Sequence, residues 1–198
     1  MSEIGQILER AAADLKRLKA RFTLVGGMAV SVWREPRLTR DVDLALSVAA
    51  DSEAESLVRD LIGMGYRVLA QVEQTSTGRL ATVRLSPPGQ PPGIVLDLLF
   101  ASSGIESKIV EQARLVQVTA RAELPVARPS HLVALKVLAR DDRRRPQDVI
   151  DLRALLHGME PAEVEDARTA LKHIQERGFH RGRNLLEDFE ELLRDRPA

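Results

Sequence analysis

Residues 37–46 read RLTRDVDLAL, and the alternation inside DVDLAL restricts the fold more than any other stretch. Successive side chains on a strand point to opposite faces. Asp41 and Asp43 therefore share one face, and Val42 and Leu44 share the other. The apolar run that follows marks a strand with a buried face, so two like charges sit at its mouth. Burying a carboxylate without a partner is costly, and like charges this close repel. Solvent, an ion pair with Arg37 or Arg40, or a divalent cation between the acids would resolve the conflict.

The rest of the chain supplies elements on either side of that strand. Residues 3–20 place Ile4, Ile7, Leu8, Ala11, Leu15 and Leu18 at helical spacing. RFTLV (21–25) is a short strand stopped by Gly26 and Gly27, and a helix runs over 28–34 until Pro36. The acidic strand covers 41–48, and Asp51 or Ser52 caps a helix reaching about Met64. Residues 66–72, 79–86 and 94–100 read as strands. The last two flank PPGQPPG, which has no helical or strand capacity, so they form an antiparallel hairpin. Four helices close the chain: 130–140 with Ser130 as cap, 145–158 between Pro146 and Gly158, 161–176 and 184–194. Residues 101–128 carry no assignment beyond further strand. The order reads as an α/β or α+β catalytic-type domain with a C-terminal helical bundle, and the seam falls between about 120 and 130.

Two further features bear on the acids. The turn between the first strand and its helix is made of two glycines. Glycines there let backbone approach a phosphate, and the helix start offers unpaired N–H groups. Asp97 lies inside the apolar strand IVLDLLF. Low strand propensity and desolvation both oppose an aspartate there. A buried salt bridge explains it, and so does a third metal ligand on a neighbouring strand. Magnesium prefers oxygen ligands. Three carboxylates can hold two cations about 3.5–4 Å apart, clamping both oxygens of an in-line phosphoryl displacement.

Strand–GG–helix, then RLTRDVDL, then a lone Asp in a later strand resembles the nucleotidyltransferase superfamily with a polymerase-β-type core. The R-x-T-x-D-apolar-D version is similar to the AbiEii-like toxins and minimal nucleotidyltransferases. HLVALKVLARDDRRRPQDVIDLRALL (131–156) is similar to that family's helical motif. The resemblance implies an α+β fold: a small mixed-sheet core flanked by helices over 1–125, with a helical region over 126–198 completing the nucleotide site. It implies Asp41, Asp43 and Asp97 as catalytic metal ligands for Mg2+ or Mn2+. It also implies Gly26, Gly27, Lys136 and Asp148 in the nucleotide site, with an NTP as substrate. It further implies a toxin of a toxin–antitoxin or phage-defence system, with a tRNA 3′ end or a protein hydroxyl as acceptor and a cognate antitoxin. Two departures stand out. Met28 follows the glycines where many members have Ser, and Gln147–Asp148 replaces a Lys–Asp pair, leaving Arg144 or Arg145 to supply the charge.

Other residues read more plainly. Arg37 and Thr39 position phosphate or orient the acids. Lys136 is a phosphate-binding point charge or a snorkelling lysine. Asp151 pairs with Arg153 or with an arginine of the 140–145 turn. His131, His157, His173 and His180 lack ligand spacing and are structural, and Trp33 is core. The chain has 198 residues, 29 basic and 29 acidic, so overall charge does not point to nucleic acid. It has no cysteine, which removes disulfides and thiolate metal sites. No apolar run spans a membrane and the N-terminus is not a secretory signal, so the expected compartment is the cytoplasm. Two other readings stay open: a non-catalytic nucleotide- or partner-binding module on the same fold, and a small-molecule, antibiotic-type nucleotidyltransferase.

Overall fold

The computed structural model describes residues 2–36, 39–75, 77–89, 93–141 and 146–194. Helix α1 (Glu3–Arg17) starts on Ser2, whose Oγ accepts the Gly5 amide at 3.3 Å. Its apolar stripe, Ile7, Leu8, Ala11 and Leu15, is buried. The strands are β1 (Arg21–Val25), β2 (Asp41–Ser47), β3 (Arg67–Glu73), β4 (Leu80–Ser86), β5 (Val95–Leu99), β6 (Arg114–Thr119) and β7 (Ala122–Val126). They form one sheet in the order β3-β4-β5-β2-β1-β7-β6. The β2–β5 and β1–β7 pairs are parallel and the other neighbours antiparallel, so the sheet is mixed, as expected. The hairpin read around PPGQPPG is the antiparallel β4–β5 pair.

The acidic strand lies at the centre of the sheet. Val42 and Leu44 are fully buried, beside Leu96 and Leu98 of β5. The carboxylate face is half-buried instead. The alternation of DVDL thus separates a dry face from a wet one.

Helix α2 (Gly26–Trp33) begins on the glycines themselves rather than after them. No side chain caps it, because Val25 precedes it. Helix α3 (Asp51–Gly63) starts after Ala50, so neither Asp51 nor Ser52 is its cap. The Asp51 carboxylate instead takes Arg79 Nε at 2.9 Å and the Leu80 amide at 3.0 Å, and Arg79 holds it below the usual carboxylate range. Helix α4 (Glu106–Glu111) falls in the stretch the sequence leaves unassigned. Buried Glu106 accepts the Ser103 amide at 2.6 Å and the Ser102 hydroxyl at 2.9 Å, closing the turn that starts the helix.

The C-terminal helices are α5 (Pro129–Ala139), α6 (Pro146–Leu156), α7 (Pro161–Glu176) and α8 (Leu185–Arg194). Proline opens α5, α6 and α7, where its missing N–H removes nothing. Pro129, not Ser130, therefore makes the start of α5. Helix α5 is buried almost all round and packs against α2, α6, α7 and α8. Arg183 caps its C-terminal end, donating to Val137 O at 3.0 Å while Asp188 holds the guanidinium at 2.6 Å.

Trp33 at the end of α2 and its C-cap Arg34 stitch the sheet to these helices. Trp33 is half-buried rather than core, and its indole N–H donates to Ala127 O at 2.8 Å. Arg34 donates to Ala154 O at 2.9 Å and Leu155 O at 3.0 Å, satisfying carbonyls at the end of α6. Among the described residues, no helix is long and apolar enough to cross a membrane.

Candidate active site

Strand register assembles the site. Val25 of β1 lies opposite Asp43, Asp43 opposite Asp97 of β5, and Asp97 opposite Arg84 of β4. Residues paired across a sheet share a face, so Arg84, Asp97 and Asp43 form a row across three strands, with Asp41 two residues along β2. The row borders a cavity of about 710 Å³ between the sheet and the C-terminal helices. Gly26, Gly27, Thr39, Asp41, Asp43, Asp97, Lys136 and Asp148 all line it, so the structure gathers the sequence's candidates around one space. Arg37 lies outside the described residues, as do Arg144 and Arg145.

Gly26 sits at φ +66°, and a Cβ there would lie 1.9 Å from Asp43 Oδ2. Only glycine permits both the left-handed backbone and that approach. The start of α2 is thereby pressed onto the acid row, with uncapped first-turn amides beside it. Ser31, one turn on, donates its hydroxyl to Gly27 O at 3.1 Å. The Asp41 amide meets Thr39 Oγ1 at 3.4 Å, so threonine steadies the strand entrance.

Asp97 is 7% exposed and takes both arms of Arg84: Nε to Oδ1 at 2.9 Å and Nη2 to Oδ2 at 2.7 Å. The salt-bridge explanation for this aspartate therefore holds in the structure. Asp97 raises the Arg84 guanidinium further above its ordinary range, opposed by burial and aided by Asp41 and Asp43. The sequence reading missed Arg84. On RLATVRLS it looks like an outward-facing arginine on an amphipathic strand, and only the β4–β5 register places it against an acid.

Opposite the row, Lys136 is 8% exposed, and its ammonium lies 2.6 Å from Asp148 Oδ1 and 2.7 Å from Asp151 Oδ2. It is not a snorkelling lysine: its charge is engaged inside the protein, between α5 and α6. Asp151 thus pairs with Lys136 rather than Arg153. Asp148 and Asp151 lie three apart on α6, which turns both toward α5. The arginine turn also named for Asp151 falls at residues 142–145, outside the described residues, apart from Arg140. Gln147 and Arg181 line the same side of the cavity. Arg181 has φ +54°, uncommon for a residue with a side chain, and no motif signalled it.

The histidines stay out of the site. His131 is buried with no partner for Nδ1, and burial, reinforced by Lys108 and Arg128, lowers it to about 4. His173 Nδ1 lies 3.1 Å from Lys108 Nζ.

The donor chemistry of the acid row, all carboxylate oxygen, suits a hard divalent cation. Among the described residues, however, no three acidic or histidine side chains close around a common point. Asp41 and Asp43 share the cavity face of β2, whereas Asp97 is turned onto Arg84.

A mixed sheet with a glycine-started helix pressed onto a D-x-D strand, and a helical wall across a cleft, defines a nucleotidyltransferase-type core. A family model described as the nucleotidyl transferase AbiEii toxin of type IV toxin–antitoxin systems matches residues 6–197, and the chain belongs to that family. It is therefore a nucleotidyltransferase by family. No curated protein matches the chain in sequence. Solved structures share its fold. An antigenic nucleotidyltransferase-like protein from Paracoccidioides brasiliensis is 18% identical over 98% of this chain and 93% of its own, with a TM-score of 0.54. The antibiotic-resistance factor ANT(2'')-Ia is 15% identical over 87% and 91%, at 0.55. The lincosamide antibiotic adenylyltransferase LnuA, solved with lincomycin bound, is 14% identical over 78% and 96%, at 0.50.

Proposed function

We propose that the chain transfers a nucleoside monophosphate from an NTP to an acceptor hydroxyl, with Mg2+ or Mn2+ as cofactor, as the toxin of a toxin–antitoxin or phage-defence pair. The observation that carries this is the registered row of Asp43 and Asp97, with Asp41 beside it, facing a cavity entered by the start of α2. A divalent cation held by these acids supplies charge neutralisation to the triphosphate and to the developing pyrophosphate. The residues of the chain do the rest. Gly26 and Gly27 admit phosphate close to backbone N–H groups. Thr39 sets the entrance to the acid row, and Arg37 serves to bind phosphate or orient the acids. Asp97 accepts the proton of the attacking hydroxyl. Lys136 fixes Asp148 at the first turn of α6, where Asp148 contacts the nucleotide.

In this reading, residues 1–125 hold the acids and glycines, and 126–198 form the nucleotide wall. The acceptor is a tRNA 3′ end or a protein hydroxyl. The type IV toxin–antitoxin description of the family supports the toxin role and a cognate antitoxin.

The test uses α-labelled NTPs with Mg2+, supplied in parallel with total tRNA, with cell protein and with small-molecule alcohols such as aminoglycosides. Label should enter the tRNA or protein fraction with wild type and not with Asp41→Ala/Asp43→Ala. Label entering only the small molecules would replace the macromolecular acceptor, and no label beyond the double variant's level would sink the reading.

A further inference from the structure

The bidentate hold of Arg84 on Asp97 has no place in the transfer chemistry as described, yet it occupies the oxygens that chemistry needs. We propose that Arg84 is a positioning residue, a resident counter-cation that keeps Asp97 turned away from the metal site until a divalent cation displaces it. This rests on the reading above that Asp97 joins the site.

Three observations carry it. First, the geometry is a two-armed fork, 2.9 Å to Oδ1 and 2.7 Å to Oδ2, so both carboxylate oxygens are engaged. A divalent cation on Asp97 must share those oxygens with the fork and stand beside its positive charge. Guanidinium and cation therefore compete. Second, the pair is asymmetric. The Asp97 side chain is 9% exposed and the Arg84 side chain 47%. Asp97 is fixed on β5 between β2 and β4, whereas Arg84 can swing toward the open cavity that both line. The arginine is the partner free to move. Third, the bridge lies in the acid row itself, since Arg84 pairs across to Asp97 and Asp97 across to Asp43. One buried partner and a bidentate grip make the pair worth more than an exposed surface bridge, though the open side of Arg84 limits it to about 1 kcal/mol. At this position its larger effect is to neutralise adjacent carboxylates that otherwise repel.

The exchange is reversible and involves no covalent step. Asp97 leaves the guanidinium, its oxygens turn toward Asp43, and Arg84 remains on the cavity wall.

The experiment is a calorimetric titration of the full chain with Mn2+ alone, without nucleotide or turnover, on wild type, Arg84→Gln, Arg84→Lys and Asp97→Asn. Removing the competitor should tighten Mn2+ binding by about fivefold in Arg84→Gln, the worth of a half-exposed pair. Arg84→Lys keeps the charge but loses the fork and should fall between Arg84→Gln and wild type. Asp97→Asn should bind at least about fivefold more weakly, because a ligand is gone. Mn2+ affinity in Arg84→Gln equal to or below wild type overturns the proposal. If Arg84→Gln does not fold, the same result in Arg84→Lys overturns it. Unchanged affinity in Asp97→Asn shows instead that Asp97 is no ligand, and the site reading falls along with the proposal. The cation concentration for half-maximal transfer should drop in Arg84→Gln along with the Mn2+ dissociation constant, a shift that a purely structural bridge would not produce.

Discussion

Gly26 stands over Asp43 so closely that a Cβ on residue 26 would lie 1.9 Å from Oδ2 and 2.5 Å from Cγ. One backbone position thus fixes where a carboxylate of the acid row can be. Gly26→Ala should displace Asp43 and also strain a φ of +66°. The expected loss is about 1–3 kcal/mol in urea unfolding, with transfer activity falling much further than stability. Wild-type activity in Gly26→Ala would show that the approach is not needed.

Lys136 lies between Asp148 and Asp151, which are 2% and 1% exposed. Lys136→Met leaves both acids without this cation in a dry setting, and the expected loss is about 3–5 kcal/mol. Adding Asp148→Asn and Asp151→Asn should recover part of it. Urea unfolding of the three proteins checks this. A loss below about 1 kcal/mol in Lys136→Met would mean that solvent already screens the cluster.

His131 predicts a pH dependence. Its folded-state value, lowered to about 4 by burial and by Lys108 and Arg128, lies below the ordinary 6.5. Between these limits the unfolded chain binds the extra proton. Stability from this residue is therefore complete above pH 6.5 and is lost as pH falls toward 4. The full effect is on the order of 3 kcal/mol. His131→Leu should flatten that part of the profile, so that wild-type stability minus variant stability falls as pH drops from 6.5 toward 4. A constant difference across the window would contradict the assignment.

The legible parts of the fold are those with strong local patterns. DVDLAL announced its two faces, α1 its stripe, and Pro146 and Gly158 the limits of α6. Residues 101–128 stayed silent because α4 is six residues long and β6 is an edge strand with no fully buried residue and no clean alternation. Helix starts shifted where a proline or a glycine turn, rather than a side-chain cap, made them. In the site, acids and glycines could be read because their residue types are unusual where they stand. Arg84, and the two acids that hold Lys136, show what could not be read. Each is ordinary in its own segment and becomes informative only when register or helix packing brings a distant opposite charge against it.

The proposed function requires that the β2 carboxylates support nucleotidyl transfer through a divalent cation. The direct measurement is transfer of label from an α-labelled NTP, with pyrophosphate release, across a Mg2+ and Mn2+ series in wild type and Asp43→Asn. Wild type should require the cation, and Asp43→Asn should be slower by about 100- to 1,000-fold while remaining folded. Transfer by Asp43→Asn at the wild-type rate, or wild-type transfer undiminished in EDTA, would contradict it.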